Sequence, residues 1–128
     1  MPHNPRTACI LVVDDDAIIR DTVAEALQLD GFSVETARNG AEALGIVRER
    51  RPNGIVLDLM MPIMTGWQFL ERCHASHLCD GIPVVVMSAY NRLPDEAANL
   101  GVNGCIAKPF DLDVLLGAIE RAVLRRSA

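Results

Sequence analysis

The stretch Cys9-Ile10-Leu11-Val12-Val13-Asp14-Asp15-Asp16 passes from five apolar residues straight to three carboxylates. A strand with one wet face alternates polar and apolar side chains, whereas a strand covered on both faces is apolar throughout. Residues 9–13 therefore read as an interior strand of a parallel sheet. The aspartates mark where that strand emerges at its carboxyl end. The pattern recurs: apolar runs at 55–57, 83–87 and 105–107 are followed by Asp58, by Ser88 and by Lys108-Pro109. A fifth, weaker strand is expected at 33–36, where Ser33-Val34-Glu35-Thr36 carries little apolar surface.

Between the strands the periodicity changes. Ile19, Val23 and Leu27 recur at helical spacing, and Gly31 stands where a helix commonly stops. Helices are expected near 41–50, 67–75 and 95–100, separated by Gly, Pro and Asn. The last helix is the clearest: Asp111 can cap it, and Leu112, Leu115, Leu116, Ile119 and Val123 form one apolar stripe. Strands alternating with amphipathic helices predict an α/β, doubly wound, five-stranded parallel sheet. The flavodoxin-like order 2-1-3-4-5, with two or three helices on each face, would bring the ends of the first and third strands together. The 128 residues, half of them hydrophobic, suffice for one core, so one domain over 1–128 is expected, with loose ends at 1–7 and 126–128.

Composition excludes several roles. No apolar run approaches the roughly 20 residues that cross a bilayer, and residues 1–7 lack the apolar stretch of a secretory signal, so a cytoplasmic location is expected. A formal charge of −5 argues against binding to nucleic acid or an anionic membrane, both of which demand a basic face. The four cysteines are irregularly spaced and are expected to be free thiols. The segment from Cys73 through His74 and His77 to Cys79 invites a zinc site if Cys73 and His77 share a helical face. The plainer reading is a core cysteine and a histidine favoured by a helix C-terminus.

Ligands of open parallel sheets bind beyond the carboxyl ends of the strands, which here hold Asp14, Asp15, Asp16, Asp58, Ser88 and Lys108. Crowded carboxylates repel and at least one resists ionising unless a cation joins them. Hard oxygen donors suit magnesium, with manganese as the alternative; it binds a few carboxylates, waters and a phosphate oxygen. Asp58 could then act as a nucleophile and form an aspartyl phosphate, with Lys108 and Ser88 neutralising charge. Any one of these residues taken singly is more ordinarily a turn, cap or solvated residue. Their convergence on four strand ends carries the reading.

Three motifs, in order, resemble the receiver domain of bacterial two-component response regulators over nearly the whole chain. They are Leu11-Val12-Val13-Asp14-Asp15, then Asp58-Leu59-Met60-Met61-Pro62-Ile63-Met64-Thr65-Gly66, then Lys108-Pro109-Phe110, with Ser88 ending an apolar strand between the last two. The resemblance implies that Asp58 accepts a phosphoryl group from a histidine kinase or histidine phosphotransfer protein. It implies an acidic pocket of Asp14 and Asp15, with magnesium held by Asp15, Asp58 and the backbone carbonyl of Met60. Ser88 and Lys108 would stabilise the phosphoryl group, and the bond preceding Pro109 would be cis. Such a domain is not an enzyme beyond its own phosphorylation and dephosphorylation. Its switched face, formed by the fourth predicted helix, the fifth strand and the last helix, would engage an output domain or protein. Cys105 departs from the pattern, standing where the family carries the Tyr or Phe of its switch. Thr65 replaces a commonly acidic residue. Met60 and Tyr90, each two residues past a site residue, occupy positions that tune water's access to the phosphoryl group.

Two other classes fit part of the sequence. Ile10-Leu11-Val12-Val13-Asp14-Asp15-Asp16 is also similar to the nucleophile loop of haloacid dehalogenase-type phosphatases, in which Asp14 would be the nucleophile. That reading leaves Asp58 without a role and lacks a later acidic motif. A receiver-like interaction module that is never phosphorylated is the other, and the intact acidic pair, Asp58, Ser88 and Lys108 argue against it.

Overall fold

Each apolar run anticipated above becomes a strand. The computed structural model of the chain describes residues 8–88 and 101–127, with side chains described through residue 123. The helix expected near 95–100, and Tyr90, lie outside the described residues. In chain order the elements are β1 (Cys9–Val13), α1 (Ala17–Leu29), β2 (Ser33–Ala37), α2 (Gly40–Glu49), β3 (Gly54–Asp58), α3 (Gly66–Ala75), β4 (Val84–Ser88), β5 (Val102–Ala107) and α4 (Leu112–Ser127). All pairings are parallel, and the strand order is β2-β1-β3-β4-β5.

Because side chains alternate across a strand, each interior strand feeds two cores. Leu11, Val13, Ile55, Leu57, Val84 and Val86 face one side with Ala43 and Val47 of α2 and Phe69 and Leu70 of α3. Ile10, Val12, Val56, Val85 and Met87 face the other, with Val23 and Leu27 of α1 and Leu115 and Ile119 of α4. Burying a side chain of this size stabilises by about 1.5–3 kcal/mol, which is why β1, β3 and β4 are apolar to their last turn. Local signals set the helix ends. Asp16 caps α1, and its side chain accepts from the Ile18 and Ile19 amides. Thr65 and Gln68 form a reciprocal capping box on α3. Asp111 caps α4, its Oδ1 accepting from the Asp113 amide at 2.8 Å. Gly31 follows α1 with φ 99°, the left-handed conformation for which glycine is suited.

Two expectations are corrected. First, α4 runs through Ser127, so residues 126 and 127 are helical rather than loose; arginine, at 125 and 126, is a good helix former. Second, the cysteines are not all free thiols: Cys73 and Cys79 form a disulfide with Cα atoms 5.4 Å apart, and Cys9 and Cys105 stay outside it. The cause is a chain reversal. Helix α3 stops at Ala75, His77 takes a left-handed φ of 61°, and the Leu78 and Cys79 amides both donate to the Cys73 carbonyl, at 3.0 and 3.4 Å. The zinc arrangement, the less favoured reading of this segment, fails for the same reason. His77 is off the helix, its Nδ1 lies 3.0 Å from Asp80 Oδ2, and the two sulfurs are bonded to each other.

Candidate functional site

Register brings the strand ends into one place. Val13 lies beside Leu57, Asp58 beside Met87, and Ser88 beside Ala107, so the residues that follow or close these strands share the carboxyl edge of the sheet. Asp14 is fully buried; its amide donates to the Ala37 carbonyl at 3.1 Å, extending the β1–β2 ladder by one step. Its Oδ1 accepts from the Asp16 amide at 2.9 Å, which folds the loop back on itself. Asp58 ends β3 and is buried, its Oδ1 accepting from the Met60 amide at 3.1 Å. Asp15 is exposed, yet one carboxylate oxygen from each of Asp14, Asp15 and Asp58 lies within 4.8 Å of the others.

Lys108 bridges the two buried acids. Its Nζ is 3.3 Å from Asp14 Oδ2 and 3.4 Å from Asp58 Oδ2. Its backbone amide donates to the Ser88 carbonyl at 2.7 Å, and the following bond to Pro109 is cis. Burial pushes the Asp58 carboxyl up to about 6; the Met60 amide pulls it down, Asp14 pushes it up, and Lys108 pulls it down. Burial alone would lower the Lys108 ammonium, but Asp58 and Asp14 outweigh it and the net shift is upward. Three clustered carboxylates and one ammonium leave a net negative pocket of hard oxygen donors. That donor set fits a divalent cation of the magnesium type, which takes few protein ligands and keeps room for water and phosphate.

The sequence candidates fall into distinct places. Asp14, Asp15, Asp58, Ser88 and Lys108 come together at this edge. Asp16 does not join them, because its side chain is used as the α1 cap. Met60 follows Asp58 on the loop and is 64% exposed, as are Ile63 beside it and Ile18 in the first turn of α1 to greater extents. Cys105 is half-buried, packs against the core on the α2 and α3 side, and lines a cavity of about 170 Å³ with Ala118 and Arg121. Burial raises its thiol, which disfavours the thiolate a redox role requires.

Two supporting contacts escaped the sequence reading, although Gly66 stands in the second motif. The Arg20 guanidinium donates to the Asp14 carbonyl at 3.0 Å and pins the acidic loop, a contact six residues apart with no periodic signal. Gly66 opens α3 directly against the acceptor loop, where a Cβ would stand 2.5 Å from the Asp58 carbonyl oxygen.

The sequence profile of the response regulator receiver domain matches residues 10–120. The chain belongs to that family. Among curated relatives, the response regulator MprA of Mycobacterium sp. (strain KMS) is 37% identical over 121 residues, which is 93% of this chain and 51% of the relative. MprA of Mycobacterium bovis (strain BCG / Pasteur 1173P2) is 38% identical over 120 residues. The chain thus spans about half the length of these relatives. Among solved structures, the Vibrio cholerae chemotaxis response regulator CheY4 superposes with TM-score 0.85 at 32% identity, covering 91% of this chain and 98% of that one. NtrX from Brucella abortus gives TM-score 0.83 at 32% identity, covering 94% of this receiver and 27% of that protein. The receiver assignment places the chain in two-component signalling. Among its described residues no helix is long and apolar enough to cross a membrane.

Proposed function

We propose that this receiver is a phosphorylation switch in which Asp58 accepts a phosphoryl group from the phosphohistidine of a histidine kinase or histidine phosphotransfer protein. The observation that carries the reading is the meeting of Asp14, Asp15 and Asp58 with Lys108 set between the two buried acids. Asp15, Asp58 and the Met60 backbone carbonyl are the groups that would hold magnesium, or manganese in its place. When bound, that ion supplies charge neutralisation for the carboxylates and the incoming phosphate oxygens.

An Asp58 carboxylate oxygen forms the new bond to phosphorus as the phosphorus–nitrogen bond of the donor breaks, and the imidazole leaves with the electron pair and takes up a proton. Burial keeps Asp58 desolvated and so removes water that would compete as nucleophile. Lys108 turns from the carboxylate of Asp58 to the phosphoryl oxygens, and the Ser88 hydroxyl donates to another of them. Asp14 carries the same two kinds of contact as Asp58, a backbone amide on Oδ1 and Lys108 on Oδ2, so the choice of Asp58 as acceptor follows its match to the receiver motif. Exposed Ile18, Met60 and Ile63, on the two segments that carry the acids, offer apolar surface to a protein donor.

The response runs to an output domain or partner through β5 and α4 together with the segment between β4 and β5. With Cys105 in place of the family's aromatic, the coupling runs through Ser88, Lys108 and the backbone bond between them. Met60 and Tyr90 shield the acyl phosphate and prolong its life.

Brief exposure to acetyl phosphate, followed by intact mass measurement, tests the reading. One phosphoryl adduct is expected with magnesium, and none with a chelator or in Asp58→Ala. Absence of an adduct on folded protein from both acetyl phosphate and a phosphohistidine donor would overturn it in favour of an unphosphorylated interaction module.

A further inference from the structure

At the amino edge of the sheet, away from the carboxylates, lies a cavity of about 250 Å³ lined by His74, Cys79, Asp80, Ile82, Pro83 and Asn103, among others. Its wall includes Cys79 of the Cys73–Cys79 disulfide. The two half-cystines differ in exposure: Cys73 is 0% exposed on the inner face of α3, whereas Cys79 is 7% exposed and lines the cavity. The loop between them is held by more than the disulfide. Arg51 donates from Nη1 to the Leu78 carbonyl at 3.2 Å and from Nη2 to the Asp80 carbonyl. The Leu78 and Cys79 amides bind the Cys73 carbonyl, and Ser76 Oγ donates to the Arg72 carbonyl at 2.8 Å.

We propose that Cys73 and Cys79 form a reversible thiol–disulfide site in which Cys79, through this cavity, is the sulfur that exchanges with a low-molecular-weight thiol. In the reducing direction the thiolate RS⁻ forms a bond to Cys79 Sγ. The Cys73–Cys79 bond breaks, and its electron pair stays on Cys73 Sγ, which takes the proton RSH gave up. A second RSH releases Cys79 as a thiol and leaves as RSSR. In the oxidising direction Cys79 first forms a mixed disulfide with RSSR. Cys73 then attacks Cys79 Sγ, so that two RSH are released for each protein disulfide made. The backbone bonds from Arg51 and to Cys73 do not depend on the disulfide, so they keep the thiols adjacent after reduction. Preorganisation of this kind makes closure an intramolecular step. Nothing in this site depends on the chemistry at Asp58.

The test places the whole chain in reduced and oxidised glutathione without denaturant. Samples are quenched in acid, alkylated and mapped by peptide mass. The disulfide is expected to open in reduced glutathione and reform in oxidised glutathione. The transient mixed disulfide should sit on Cys79 over Cys73 by about tenfold or more, following exposure. Cys73→Ser, which removes the resolving thiol, should accumulate one glutathione on Cys79. A mixed disulfide on Cys73, or one shared equally, would overturn the proposal. So would a pair that stays reduced in excess oxidised glutathione, or a disulfide that never opens in the native protein. Mapping of the natural chain is decisive by itself, so the test does not depend on the variant's folding.

Discussion

Replacing Gly66 with alanine probes the contact between α3 and the acceptor loop. The added Cβ would lie 2.5 Å from the Asp58 carbonyl oxygen, 2.7 Å from Leu59 Cα and 3.1 Å from Leu59 Cδ2. The first two are backbone atoms and have little room to yield. The Gly66 amide donates to the Leu59 carbonyl at 3.1 Å, and the Leu59 amide to the Met87 carbonyl at 3.1 Å, tying helix, loop and β4 together. Overpacking of this kind costs about 1–3 kcal/mol, against at most about 1 kcal/mol regained from alanine's helix preference, so a net loss of about 2 kcal/mol is expected. Gly45, within α2, is the control. A Cβ there meets nothing within 4 Å, and alanine should add about 0.5–1 kcal/mol. Urea unfolding followed by circular dichroism reads both, and a urea slope of about 1–2 kcal/mol/M puts the Gly66→Ala midpoint lower by roughly 1–2 M. The same shift should push Asp58 outward and slow phosphoryl acceptance. A Gly66→Ala protein as stable as its parent, beside a stabilised Gly45→Ala, would refute the close packing of α3 on the acceptor loop.

Further outcomes follow from the charges at the site. With Asp58 raised from 3.8 to about 6, the folded state disfavours its ionised form. The penalty is full above about pH 6 and lost below about pH 4, so metal-free protein should gain stability as pH falls through that window. Asp58→Asn should then be more stable than the natural chain near pH 8, by up to about 3 kcal/mol, with the advantage gone near pH 4; denaturant midpoints at both pH values check it. Removing the ammonium in Lys108→Ala leaves Asp14 and Asp58 facing each other unscreened, and a carboxyl NMR titration should find Asp58 above about 6. An unchanged or lower value would show that Lys108 does not pair with it in solution. Replacing Met60 and Tyr90 together with small polar residues should shorten the acyl phosphate's lifetime, and an unaltered decay rate would remove their shielding role.

The parallel core was legible because burial on both faces makes β1, β3 and β4 apolar up to their carboxyl ends, so that the change to Asp14, Asp58 and Ser88 reads as the edge of the sheet where a site can form. Weaker elements were legible in part. Strand β2 at the sheet edge is only partly covered and runs one residue further than its composition suggested. Strand β5 begins at Val102, where Asn103 and Gly104 look like a turn. There the Asn103 side chain accepts from the Val84 amide at 2.9 Å beside an irregular step in the ladder, a pairing no periodicity announces. At the site, the types of side chain were readable but their division of labour was not. Asp16 caps a helix, and Asp14 is pinned by the backbone of Asp16 and the guanidinium of Arg20. The disulfide depends on a left-handed residue at His77, which no residue type there signals.

The most direct test of Asp58 as the acceptor is to locate the phosphoryl group. After reaction with acetyl phosphate and magnesium, borohydride reduction converts a phosphorylated aspartate to homoserine, which peptide mass sequencing can place. Homoserine is expected at position 58 and nowhere else, and none when magnesium is withheld. Homoserine at position 14, or a phosphoryl group that persists on Asp58→Ala, would contradict the assignment of Asp58.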